Sequence, residues 1–550
     1  MTSDAIIIDG YVDEPACFGV PPYLSPYIRY AAGVLLEHGY TVSYVTIDTL
    51  RDDPARIARL DAASLVLLIA GVTVPGKYLG GTPASLTEIR QIGSMLRHPV
   101  SVIGGPISFG YARGGGEKAV RQAVSGFDAV LGGEVASSLD ALLQEKDAPG
   151  GIDYRTIDRW SVLGSGIVRQ HPSFPHVMCE LETARGCSRV VAGGCSFCTE
   201  PLYGPPRYRS VAGVSGEVAA LAAAGAVHFR LGRQPDLLAF GTGAGEFPKP
   251  RPDLLDTLFT GIRAAAPGLK TLHIDNINPG TIARHEEAAR DALQAIVSGH
   301  TPGDTAAFGM ETADTAVIRA NNLKASPEQV FRAIEIVNDV GAGRRDGVPD
   351  LLPGLNFIIG LAGETPATFD ANQAFLDRVL AAGLLVRRVN IRQLMPFEGT
   401  PAYDDNMLGR HAARFKQWKE HVRKNFDAPM LRAVFPEGTV LCDVIIEESG
   451  TPSFGRQMGS YPILAGFPLH LGKKTVTNAV VVGWGMRSVT VLPCPVDVNA
   501  LPQSTLKWLP GVGRKKAAKI ASKRPFLTLE EFRAVAGPSP IADLLAFTLP

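Results

Sequence analysis

Residues 184–201, ARGCSRVVAGGCSFCTEP, bring Cys187, Cys195 and Cys198 into one short loop, the last two separated only by Ser196 and Phe197. The chain holds seven cysteines in 550 residues, an odd number that suits metal binding or catalysis better than a disulfide framework. Soft thiolates select zinc or iron–sulfur clusters. A structural zinc wants four closed ligands. Only His176 and Cys179 lie close enough in sequence to add a fourth, and both precede the loop. Three thiolates on a four-iron cluster instead leave one iron open to an outside ligand, which is a catalytic arrangement. An iron–sulfur cluster is the reading taken here; structural zinc and unrelated buried thiols are its alternatives.

Outward from the loop, strand and helix patterns alternate. Over 175–405 six strand-like runs (VMCELETA, VHFRLG, TLHIDNI, AAFGMET, LNFIIGL, RRVNIRQLM) are separated by helical stretches such as SPEQVFRAIEIVNDVG. That order predicts a parallel, partial (β/α)6 barrel with ligands at the carboxyl ends of its strands. The cysteine loop follows the first strand, so it falls on that face. The glycine-rich AFGTGAGEF after the second strand reads as an insertion near the mouth. Residues 1–150 show the same alternation in shorter form and predict a doubly wound, Rossmann-like α/β domain. Over 430–497 the helical period vanishes and a small all-β module is expected. Residues 500–550 read as helical around LPGVGRKKAAKI.

Lysine plus arginine equals aspartate plus glutamate at 54 each, so no global charge argues for nucleic acid or membrane. No apolar run reaches the 18 or more residues of a membrane span, and the start MTSDAIIIDGY is unlike a signal peptide. A cytoplasmic protein with no membrane partner is expected.

The loop resembles that of the radical S-adenosylmethionine superfamily, marked by three cysteines ending in Cys-x-aromatic-Cys and matched by Cys195, Ser196, Phe197 and Cys198. Seven residues separate Cys187 from Cys195 where the commonest family form has three. Roughly doubling a flexible loop adds only about 0.6 kcal/mol of closure entropy. Further along, FGMET resembles the family's ribose motif, NFIIGLAGET its adenine-contacting fifth strand, and RQLMPFEGTPAY the end of its sixth. The resemblance implies a 4Fe-4S cluster on Cys187, Cys195 and Cys198. It also implies S-adenosylmethionine against Glu311 (ribose), Ile358 and Gly360 (adenine) and Gln234 (methionine amine), with Asp236 a lesser candidate for the amine. The implied chemistry is reductive cleavage to methionine and a 5'-deoxyadenosyl radical, with electrons from a low-potential donor.

The first domain resembles the cobalamin-binding-like module of such enzymes at VIGGP (Val102 to Pro106) and FDAVLGGE (Phe127 to Glu134), but lacks the cobalt-ligating Asp-x-His-x-x-Gly motif. Cobalamin is therefore not expected, with a mode lacking a histidine ligand left open. The methylthiotransferases that share this domain order carry three more cysteines in the first domain. Here Cys17 stands alone and reads as a packed or incidental thiol.

The β module faintly resembles a TRAM-type RNA-binding barrel. LPGVGRKKAAKI resembles a helix-hairpin-helix motif, with Gly511, Gly513, Lys515 and Lys516 as candidate phosphate contacts. The expectation is a radical enzyme that modifies RNA or another nucleic acid. The alternatives are a protein or small-metabolite substrate, and a nucleic-acid-binding protein whose cluster is structural or redox-sensing.

Overall fold

Runs of isoleucine, valine and leucine covered on both faces make parallel strands, and three of them, Asp4–Asp9, Leu65–Ile69 and Val100–Gly104, form the centre of the five-stranded first sheet. Its order is Thr41–Thr46, Asp4–Asp9, Leu65–Ile69, Val100–Gly104, Ala129–Val130. The second strand in sequence lies outside the first, so the chain reverses direction between Asp4–Asp9 and Leu65–Ile69, a doubly wound topology. The computed structural model describes residues 3–12, 23–53, 55–71, 81–121, 124, 126–147, 151–243, 245–345 and 347–549. Cys17 lies outside them.

Six further parallel strands follow: Met178–Glu182, His228–Gly232, Thr271–His273, Asp304–Glu311, Leu351–Ile359 and Arg388–Gln393. The first three pair in sequence, as do the last three, and a parallel bridge between Asn276 and Ala307 joins the two groups into an open barrel. The edge beside the first barrel strand is taken by Tyr23–Leu24, a two-residue strand from the N-terminal region, in the register Tyr23 with Met178 and Leu24 with Cys179.

Arg29, on the helix Pro26–Glu37, holds this seam. It donates to the Leu24 carbonyl at 3.0 Å and to the Glu180 carbonyl, and pairs with Glu217 at 2.7 Å. Arg209 takes the other Glu217 oxygen at 2.5 Å and reaches Asp158 at 2.7 Å. Glu217, Arg29 and Arg209 have no exposed side-chain surface. Despite burial, the two guanidinium groups hold the Glu217 carboxyl below its usual range.

The barrel interior is polar. Glu180 on the first strand meets Arg230 on the second, and Arg230 pairs with Asp275 beyond the third at 2.5 Å. The period of two along the sixth strand puts Arg388, Asn390 and Arg392 on one face, opposite Asn356 of the fifth. The N-terminal domain also docks on the mouth: Gly116 donates its N–H to the Leu394 carbonyl and Ala119 to that of Pro396, each at 2.8 Å.

Val440–Glu448, Ser453–Arg456, Leu464–Phe467, Ser488–Pro493 and Val476–Trp484 close into a five-stranded barrel. Its segment 457–462 enters the base of the large barrel, where Ser460 donates from N to His273 Nδ1 at 2.8 Å and from Oγ to the Ile274 carbonyl at 3.0 Å. The C-terminal helices Gln503–Leu506, Arg514–Lys523 and Leu529–Ala536 share an apolar cluster with the outside of the small barrel, through Val480 and Leu492. The last residues are not wholly helical: Leu545–Ala546 pairs with Val496–Asp497.

Candidate active site

The cysteine loop leaves the first barrel strand and is tied down by the turn after the helix Thr315–Ala320. Ser196 donates from N to the Asn321 carbonyl at 3.0 Å and from Oγ to Asn321 Oδ1 at 2.7 Å. Asn321 Nδ2 in turn donates to the Ala362 carbonyl at 2.9 Å, linking the loop to the end of the fifth strand. Asn322 Nδ2 reaches the carbonyls of Ala192 and Gly194, each at 2.6 Å. Arg189 bridges to Cys195 Sγ at 3.0 Å, to the Asn322 carbonyl at 2.9 Å, and to Glu246 of the glycine-rich insertion at 3.0 Å. Phe197 packs with Cys195, Ile358 and Leu408 over Leu361 and Leu394, which explains an aromatic residue between the last two thiols.

The three thiols face one another closely enough to interact electrostatically. Burial pushes all three above the ordinary thiol range, Cys187 to about 11. Among the described residues no three His, Cys, Asp or Glu side chains are close enough to share one metal ion. A tetrahedral zinc holds its sulfurs about 3.8 Å apart, whereas a cubane takes each thiolate on a different iron and spreads them wider. The two candidates for a fourth zinc ligand are placed elsewhere. Cys179 faces Arg29 and Glu217, its thiol pushed up to about 12 by burial, and the His176 ring lies 6.0 Å from that of His228.

Below the thiols, the fourth strand ends at Glu311, with φ +60 and a register shift between Gly309 and Glu311. A Cβ at Gly309 would run into the Glu311 carboxylate and the Lys324 ammonium, so glycine is what lets the two approach. Burial pushes the Glu311 carboxyl up to about 7, against the pull of Lys324 and Arg392. Glu311 Oε2 is buried with no hydrogen-bond partner. Gln234, 1% exposed, has neither side-chain amide atom partnered.

Asp236, by contrast, is already engaged: it accepts from the N–H groups of Leu238 and Asn278 and from Thr281 Oγ1, which clamps two strand ends together. Gly360, at φ +103, donates its N–H to Glu364 at 2.8 Å, and Ile358 lies beside Cys195 in the apolar cluster over the mouth. Buried thiols beside a buried carboxylate oxygen and a buried amide, both unpartnered, fit a cluster with a polar ligand carrying hydroxyl and amine groups.

Sequence reading did not anticipate Arg189, Asn321, Asn322, Lys324 or Arg392. The Asn-Asn pair closing a helix was the one available signal, since asparagine is favoured where the backbone turns left-handed. In the C-terminal hairpin, Gly511 has φ +73, Gly513 caps the helix Arg514–Lys523, and Arg514, Lys515, Lys519 and Lys523 are exposed. Lys516 is committed internally, donating to the Gly511 carbonyl at 3.2 Å and to that of Ala536 at 2.8 Å.

The fold recurs in TsrM of Kitasatospora setae, a radical S-adenosylmethionine methyltransferase solved with cobalamin and a [4Fe-4S] cluster, and with tryptophan and an S-adenosylmethionine analogue. The TM-score is 0.50 and the identity 17%, over 73% of this chain and 75% of that one. At that identity the likeness shows a shared fold. No family model matches. The chain belongs to one family with an uncharacterized protein of Archaeoglobus fulgidus, 41% identical over 97% of each chain. The uncharacterized protein MJ0274 of Methanocaldococcus jannaschii is 39% identical over 89% of this chain and 93% of its own. The ribosomal protein uS12 methylthiotransferase RimO of Anaeromyxobacter is 27% identical over 42% of this chain and 43% of its own.

Proposed function

We propose that this chain binds a 4Fe-4S cluster through Cys187, Cys195 and Cys198 and S-adenosylmethionine beside it, and modifies its substrate by a radical route. The cluster, when bound, supplies the electron that cleaves S-adenosylmethionine. The observation that carries the reading is the pair of buried, unpartnered groups under the thiol loop, Glu311 Oε2 and the Gln234 amide. Removing such groups from water costs about 1–3 kcal/mol each unless a ligand completes them.

In this reading Glu311 accepts from ribose hydroxyls, Gln234 meets the methionine amine, and Ile358 with Gly360 covers the adenine. Arg189 orients Cys195. The apolar cover of Phe197, Ile358 and Leu408 keeps water from the mouth. The finer reading, a nucleic-acid substrate, is supported by the exposed cations of the hairpin, Arg514, Lys515, Lys519 and Lys523. TsrM carries cobalamin on this fold, so the expectation against cobalamin has no support from the fold, and the N-terminal domain stays open to a corrinoid.

Anaerobically purified protein is expected to hold about four irons per chain. Cys187→Ala, Cys195→Ala or Cys198→Ala is expected to abolish 5'-deoxyadenosine formation under a low-potential reductant, and Cys442→Ala to leave it intact. Cobalt is counted in the same samples. Zinc in place of iron after anaerobic reconstitution would overturn the proposal.

A further inference from the structure

The thiol loop has an outer side as well as an inner one. Val191, in the short helical turn Ser188–Ala192 between Cys187 and Cys195, is 68% exposed, and Leu202, just past Cys198, is 48% exposed. The segments carrying them pack together: a Cβ at Gly194 would stand 2.5 Å from the Pro201 ring. The glycine-rich insertion completes this side. Its Phe247 ring meets two guanidinium groups, with Arg284 Cζ 3.6 Å and Arg189 Cζ 5.8 Å from the ring centroid. Arg189 is buried and continues to Cys195 Sγ at 3.0 Å, while Arg284, the last residue of the helix Pro279–Arg284, is exposed. One ring and one guanidinium therefore stand between the surface at Arg284 and a cluster thiol.

The ring is held in place. Gly280 admits it, since a Cβ there would lie 2.7 Å from Phe247 Cε1, and the Phe247 carbonyl meets His285 Nε2 at 3.0 Å. The unpaired charge on these segments is positive. Lys249, Arg284 and Arg319 are exposed and form no ion pair among the described residues. Arg319 adjoins the patch because its helix, Thr315–Ala320, ends in the turn whose Asn322 holds the Ala192 carbonyl at 2.6 Å. The carboxylates nearest the ring in sequence, Glu246 and Asp253, are already paired, with Arg189 at 3.0 Å and Arg251 at 2.9 Å.

We propose that this outer side of the thiol loop docks an acidic one-electron carrier protein, with Val191, Leu202 and Phe247 at the centre of the contact and Lys249, Arg284 and Arg319 at its rim. The inference rests on the radical reading, which needs an electron from outside the chain. The step balances: one electron leaves the carrier and enters the iron–sulfur centre, with no bond made or broken and no proton moved. An exposed apolar centre with a cationic rim suits such a partner, because redox encounters bury little area and are steered by opposite charge. A nucleic-acid backbone is held by many cations, and exposed valine and leucine side chains add nothing to its binding.

The test uses the full chain, anaerobically reconstituted, with iron counted in each sample. An acidic flavodoxin and an acidic ferredoxin are titrated calorimetrically at low ionic strength. At least one is expected to bind one to one, with an affinity that falls as salt rises. Arg284→Glu and Val191→Asp, both at exposed positions, are each expected to weaken that binding tenfold or more with the thermal midpoint unchanged. Arg284→Glu is also expected to slow bleaching of the cluster by the reduced carrier tenfold or more, and to leave bleaching by reduced methyl viologen, a small cation, unchanged. Protein that takes up no iron would overturn the radical reading and this inference with it. Iron-loaded protein that binds neither carrier, carrier binding that survives Arg284→Glu, or binding of single-stranded RNA at this surface in place of the carriers would overturn the docking surface alone.

Discussion

Replacing Asn322 separates two contributions to holding the thiol loop. Its side-chain amide donates to the carbonyls of Ala192 and Gly194, and its backbone sits at φ +48, which asparagine tolerates and alanine does not. Asn322→Gly removes both hydrogen bonds while keeping the backbone at ease. Each bond contributes about 0.5–1.5 kcal/mol, and the exposure of the side chain places the pair near ~1 kcal/mol. Asn322→Ala loses the same bonds and adds strain of about 1 kcal/mol for a Cβ in the left-handed region. One and two kcal/mol correspond to factors of about 5 and 30. Reconstituted protein challenged anaerobically with a ferrous chelator is therefore expected to lose iron about 5-fold faster with glycine and about 30-fold faster with alanine. Loss at the same rate in both variants would remove the backbone from the account, and wild-type rates in both would show that the turn does not hold the cluster.

Glu311, with its carboxyl raised to about 7, is protonated below that pH and then offers one fewer acceptor to ribose hydroxyls. Affinity for S-adenosylmethionine is expected to rise from pH 6 to pH 8 in the native protein and to stay flat in Glu311→Gln; a flat native profile by calorimetry would assign Glu311 a purely structural role. Glu217→Ala leaves Arg29 and Arg209 buried without their shared carboxylate. Breaking a buried pair typically costs about 3–5 kcal/mol, to be read as a drop in the urea midpoint. A loss under about 1 kcal/mol would mean that the two arginines find other acceptors.

The strand segments of both α/β regions were legible because β-branched runs covered on both faces repeat at the spacing of β/α units. The thiols were legible because three cysteines so close together have few other uses. What stayed hidden depends on contacts between distant parts of the chain. Lys324 is an ordinary helix-flanking lysine until the fold sets it beside Glu311. Asn321 and Asn322 look like a helix end, and their partners lie more than a hundred residues away at Ser196, Ala192 and Gly194. Lys516 read as a phosphate contact because its sequence neighbours are basic, but its ammonium closes the hairpin onto the helix Leu529–Ala536. Asp236 and Gln234 sit two residues apart. Their sequence context does not separate them, and only the presence or absence of hydrogen-bond partners does.

The pairing of Tyr23–Leu24 with Met178–Glu182 has a consequence for how the protein is made. The two partners lie about 155 residues apart, and at roughly 5 to 20 residues per second a ribosome takes about 8 to 30 s to bring the second out after the first. During that interval the early strand and Arg29 have neither sheet edge nor Glu217 to meet. Any attempt to express the large barrel alone, beginning near residue 175, would leave Met178–Glu182 as a bare sheet edge, and bare edges seek other chains. The N-terminal segment is thus a built-in shield for the barrel, and cutting between the two would expose an edge free to pair with other copies.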